Sequence, residues 1–127
     1  MSYSALKNKK VLLVDDEVEI LDTIQMHLEL EGMLVFKAVN GLDAFKKLLK
    51  NDYDVVVSDI RMPECSGVEL LNKIKESKSK MPPVVLMSAF SDINSAKAKE
   101  LGAKGMFLKP ENMSKLKEMI VESFDEF

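Results

Sequence analysis

Four short apolar runs in this chain each end in a polar or charged side chain, and no other feature restricts the fold so tightly. Val55-Val56-Val57 ends in Ser58-Asp59, Val11 to Val14 in Asp15-Asp16, Val84 to Met87 in Ser88, and Met106-Phe107-Leu108 in Lys109. Apolar, β-branched runs without polar alternation suit strands covered on both faces, as in a parallel sheet flanked by helices. A charged residue at the end of such a strand emerges at the carboxyl edge of the sheet, where open α/β folds place their ligands.

The segments between these runs have helical spacing. Val18 to Leu30 puts Leu21, Ile24 and Leu28 on one face with Ile20 beside it, and Gly32 is a C-cap stop. Met33 to Val39 is a second strand, placed at an edge because Lys37 interrupts it. Asn40-Gly41 has turn chemistry, and Leu42, Phe45 and Leu49 mark a short helix ending near Asn51. The central strand spans Asp54 to Asp59. Ser66 and Glu69 then have the spacing of a capping box, with Val68, Leu71 and Ile74 as the inner face of a third helix. Lys75 to Lys80 is expected to be a solvated basic turn. Pro82-Pro83 opens the fourth strand, and Ser91 or Asp92 caps a helix running to Leu101 with Gly102 as its stop. Ala103 to Leu108 forms the fifth strand. A last helix starts at Asn112 or Ser114 and repeats Leu116, Ile120 and Phe124 at core-facing spacing.

Five strands alternating with five helices give an α/β fold, a flavodoxin-like doubly wound five-stranded parallel sheet in the order 2-1-3-4-5. Strands one and three then flank the topological switch point, so Asp15, Asp16 and Asp59 converge there. The 127 residues suit one domain, residues 1–127 with a core over about residues 9–124 and no output domain. With 18 basic and 21 acidic residues the net charge is −3, which argues against a broad nucleic-acid footprint. No apolar run approaches the roughly 20 residues that span a bilayer. The polar stretch Met1 to Lys10 lacks an apolar signal core, so a cytoplasmic location is expected. The lone Cys65 excludes an internal disulfide and a cysteine-rich metal site. The nine methionines read as flexible packing residues, and His27, without a companion ligand, as structural or solvated.

Three carboxylates in one crevice stay ionised only if a cation compensates them or one keeps its proton. Oxygen-only ligation suits a hard cation, Mg2+ above all, which keeps coordination positions open for phosphate oxygens. Lys109 adds a point charge suited to a phosphoryl group, and Ser88 a hydroxyl that can donate to it. Taken singly, each has a bland reading: an acidic pair after a strand often just complements a helix N-terminus. Together, at four strand ends, they make a site for phosphoryl transfer to Asp59.

Val14-Asp15-Asp16-Glu17, Asp59-Ile60-Arg61-Met62-Pro63 with Gly67, Ser88-Ala89 and Lys109-Pro110 resemble the receiver domain of bacterial two-component response regulators over nearly the whole chain. The resemblance implies that Asp59 accepts a phosphoryl group from the phosphohistidine of a sensor histidine kinase or histidine phosphotransfer protein. It implies that Asp16, Asp59 and the Arg61 backbone carbonyl ligate Mg2+ while Asp15 holds a metal-bound water. Lys109 would pair with the carboxylate or phosphate ahead of a cis Lys109-Pro110 bond. Ser88 would carry the change to a protein-binding face built from helix four, strand five and helix five. Such a module is no conventional enzyme, but catalyses its own phosphorylation and slow dephosphorylation.

Three positions depart from the family pattern. Met106 stands where an aromatic partner to the hydroxyl switch is usual, with Phe107 expected on the other side of the sheet. Cys65-Ser66 replaces a common acidic residue, and Glu111 a usual apolar one. Phe90, two after Ser88, and Arg61, two after Asp59, border the path of the hydrolytic water in this family. Because the last helix reaches the last residue, the chain is expected to act through a protein partner or to be excised from a longer regulator or hybrid kinase. Two alternatives compete: a receiver-like binding module that signals without phosphorylation, and a phosphatase of the haloacid dehalogenase type. The latter wants Asp-x-Asp after its first strand, where this chain has Asp15-Asp16-Glu17.

Overall fold

The computed structural model describes residues 3–62, 65–77, 82–88, 95–108 and 113–124. Strands β1 (Lys10–Val14), β2 (Leu34–Ala38), β3 (Val55–Asp59), β4 (Val84–Ser88) and β5 (Gly105–Leu108) alternate with helices α1 (Val18–Leu30), α2 (Gly41–Lys50), α3 (Gly67–Ser77), α4 (Ser95–Glu100) and α5 (Met113–Ser123). All strand pairs are parallel and the order is β2-β1-β3-β4-β5, the arrangement expected from the sequence.

The period-two geometry of strands sorts their side chains into two cores. Leu12, Val14, Val56, Val84 and Leu86 pack with Ala44, Leu48, Leu71 and Ile74 from α2 and α3. Val11, Leu13, Val55, Val57, Val85, Met87 and Phe107 pack with Leu21, Ile24, Leu28, Leu116 and Ile120 from α1 and α5. Leu6, in a 3-10 turn over Ser4–Leu6, joins this second core and is fully buried. Tyr3 lies alongside it, its hydroxyl 3.5 Å from the Ser114 carbonyl and its ring under the Lys117 ammonium.

The edge position of β2 has a visible cause and a visible defence. Three of its five side chains are exposed, including Lys37. Lys47 Nζ donates to the Lys37 carbonyl at 2.7 Å, and Asp43 accepts from the Val39 N–H at 3.4 Å, so side chains occupy backbone groups that another strand would seek.

The helix caps follow the sequence closely. Gly32 and Gly102 take positive φ, +87° and +105°, at the ends of α1 and α4, as C-cap glycines do. Ser66 Oγ accepts from the Glu69 N–H at 3.1 Å while Glu69 accepts from the Ser66 N–H at 3.0 Å, the reciprocal capping box. Asn40 caps α2 by accepting from the Asp43 N–H at 2.7 Å.

Helix α2 is rotated from its expected setting. Of Leu42, Phe45 and Leu49, the residues that mark this helix in the sequence, Leu42 and Leu49 are 38% and 59% exposed while Phe45 packs partly buried against the core, and the buried face is Gly41, Ala44 and Leu48. Gly41 opens the helix with its N–H donating to the Cys65 carbonyl at 3.2 Å, and a Cβ there would sit 2.3 Å from that oxygen. Docking at Gly41 sets the rotation, and the larger apolar residues turn outward. Helix α3 also runs through Lys75 to Ser77, so the basic segment begins as helix rather than turn. The cap residues expected at Ser91, Asp92 and Asn112 lie outside the described residues.

Candidate functional site

Asp59 is the last residue of β3, whose five side chains are all buried, and is itself 5% exposed. Backbone contacts hold this strand end on two sides. The Ile60 N–H donates to the Met87 carbonyl of β4 and the Gly67 N–H to the Ile60 carbonyl, both at 2.9 Å. Gly67 allows this approach because a Cβ there would lie 2.3 Å from the Asp59 carbonyl oxygen.

On the neighbouring strand Val14 pairs with Ser58, so Asp15 follows one residue beyond the ladder, level with Asp59. Asp15 is completely buried; its N–H donates to the Ala38 carbonyl at 3.1 Å and its Oδ1 accepts from the Glu17 N–H at 2.9 Å. Asp16 and Glu17 are exposed at the start of α1. Each of Asp15, Asp16, Glu17 and Asp59 offers a carboxylate oxygen, all within 4.8 Å of one another.

The sequence reading expected Asp15, Asp16 and Asp59 to meet, and they do. Glu17 joins them; in the sequence it belongs to the acidic motif but reads as a helix-start residue, and only the turn closed by Asp15 brings its carboxylate in. Ser88 ends β4, 1% exposed and paired with Leu108. Lys109, Pro110 and Phe90 lie outside the described residues. Arg61 is exposed after the β3 end. Met106 is half-buried against the α2–α3 core, while Phe107 is buried on the opposite face, the sidedness expected from strand alternation.

The donor set fits a hard cation. Among the described residues the cluster contains carboxylates and no imidazole or thiolate, which matches Mg2+ and not the softer metals. Cys65 is buried beneath Gly41, and burial, with the Glu69 charge second, raises its thiol pKa above the ordinary value. That keeps the thiol protonated and disfavours nucleophilic chemistry there. No helix among the described residues is long and apolar enough to cross a membrane.

The chain is similar to several known proteins. The "Transcriptional regulatory protein CpxR homolog" of Haemophilus influenzae is 40% identical over 103 residues, 81% of this chain and 44% of the relative. The matches cover 42% to 44% of the length of this and the next two curated relatives. The receiver domain of a Francisella response regulator superposes with a TM-score of 0.84 at 28% identity, over 92% of this chain and 97% of the other. Response regulator TrrA of Thermotoga maritima, solved in complex with Mg2+ and BeF, gives 0.82 at 33% identity over 91% and 98%. Residues 11–121 match the response regulator receiver domain family, and with the five-stranded parallel fold this makes the chain a member of that family.

Proposed function

We propose that this receiver domain works as a phosphoacceptor switch in a two-component relay, with Asp59 as the acceptor. The observation that carries the reading is the four-carboxylate cluster around a nearly buried Asp59 at the carboxyl edge of the sheet. An Asp59 carboxylate oxygen attacks the phosphorus of a phosphohistidine on a sensor kinase or phosphotransfer protein. The O–P bond forms as the P–N bond breaks, and the imidazole keeps the electron pair. Asp16, Asp59 and the Arg61 backbone carbonyl would hold Mg2+, with Asp15 reaching it through water. When bound, the ion supplies charge neutralisation on the phosphoryl oxygens.

Lys109 would supply a second positive charge to the phosphoryl group, and Ser88 would donate its hydroxyl to a phosphoryl oxygen. The Ser88 movement reaches a partner protein through the α4–β5–α5 face, with Met106 in place of the usual aromatic. Phe90 partly shields the acyl phosphate from water. The domain is placed in the cytoplasm, and its net charge of −3 argues against a broad nucleic-acid footprint on the domain itself.

Acetyl phosphate with Mg2+ tests this, read by intact mass. The expected result is a gain of one phosphoryl group that Asp59→Asn abolishes. Multiple turnover of general phosphate esters would instead indicate a phosphatase. No adduct at saturating donor would leave a binding module that signals without phosphorylation.

A further inference from the structure

A cavity of about 230 Å3 opens on the face made by α4, β5 and α5. Its floor is Gly105, Met106 and Met119, and Lys99, Lys104 and Lys115 stand around it, with Glu122 the only acid among the described lining residues. Gly105 makes the floor: a Cβ there would meet the Met119 Cε at 2.9 Å. The three lysines are exposed, and none of the ion pairs between described residues uses them. Small-molecule sites run to roughly 300–1,000 Å3, so this volume suits a single large side chain better than a cofactor. Thioethers make favourable contacts with aromatic rings, and unpaired ammonium groups favour carboxylates.

We infer that the cavity receives an aromatic anchor of a partner protein, carried on a segment with carboxylates on either side of the ring. The inference rests on the reading of this face as the output surface and names the chemistry it selects. The ring lies on Met106 and Met119; the flanking carboxylates meet Lys99, Lys104 and Lys115.

The test uses the full chain with 13C-methyl methionine. The probe is a synthetic peptide with one phenylalanine flanked on each side by two glutamates. Matched controls carry alanine for the ring or lysine for the glutamates. Titration is expected to shift the Met106 and Met119 methyl signals, to weaken with added salt, and to weaken at least tenfold for either control peptide. Lys99→Glu/Lys104→Glu/Lys115→Glu should lose binding while keeping the native spectrum, and Gly105→Ala, which displaces the Met119 methyl, should weaken it without changing its salt dependence. Absence of methyl shifts, or equal binding of the lysine peptide, overturns the inference, as does sedimentation showing a dimer that buries these methionines. Acetyl phosphate labelling of the same samples separates the two ideas. An adduct without peptide binding refutes the cavity alone, and peptide binding without an adduct refutes the phosphoacceptor reading alone.

Discussion

Gly67→Ala attacks the acceptor without touching a carboxylate. The new Cβ would lie 2.3 Å from the Asp59 carbonyl oxygen and 3.1 Å from both the Asp59 carbonyl carbon and the Ile60 Cα. Ordinary contact distances are about 3.5–4.0 Å, so either α3 or the β3 end must shift by roughly 1 Å. The obstacles are backbone atoms of a buried strand, and such overpacking costs about 1–3 kcal/mol. Removing glycine freedom from the unfolded chain returns about 0.4–1 kcal/mol. The expected net loss is about 1–2 kcal/mol, roughly 3–10 °C in Tm for a domain of this size. A shift of about 1 Å at a reacting group can cost of order 100-fold in rate, so phosphorylation by acetyl phosphate should fall further than stability does. Gly105→Ala is the control, because its Cβ meets only the mobile end of Met119 at 2.9 Å. Urea unfolding and phosphorylation rates of both variants decide the matter. Equal stability losses in the two, or a Gly67→Ala protein with wild-type labelling, would refute the reasoning.

Three further outcomes are expected. The Glu69 carboxyl is held below its ordinary range, chiefly because it accepts the Ser66 backbone N–H and then through the Ser66 hydroxyl. Its contribution is complete above the unfolded-state value and disappears as pH falls through the lower folded value, so Tm should drop more steeply between about pH 5 and pH 3 in wild type than in Glu69→Gln. Cys65, buried and with its thiol pKa raised, should react with iodoacetamide at least about tenfold more slowly in the native protein than in urea; equal rates would contradict its placement under Gly41. Phosphorylated Phe90→Glu should lose its phosphoryl group faster than wild type, followed by intact mass, and matching decay curves would remove the shielding role.

What could be read in advance depended on the range of the interaction responsible. The β-branched run Val55-Val56-Val57 and the lysine in β2 carry their meaning locally, so strand order and the meeting of Asp15, Asp16 and Asp59 followed from pattern and connectivity alone. Gly32, Gly102 and the Ser66–Glu69 pair are likewise local devices. The rotation of α2 was hidden because Gly41 docks on Cys65, 24 positions away, and nothing within the helix outweighs Leu42 and Leu49 as apparent core residues. Leu6 was hidden among polar neighbours, although it fills the core beside α5. Glu17 looked like a helix-start acid, and its part in the cluster depends on a turn that one hydrogen bond to Asp15 closes.

The register between β1 and β3 has a consequence for how the molecule opens. Asp15 and Asp59 each stand one position beyond the Val14–Ser58 pair, so their spacing is set by the ladder itself and not by a surface loop. Buried central strands exchange their amide hydrogens only in the largest unfolding events, whereas loops open frequently. The acidic pair is therefore mounted on two buried central strands, where amide exchange is expected to be slowest, and the distance between the two carboxylates is fixed by the same hydrogen bonds that hold the sheet together.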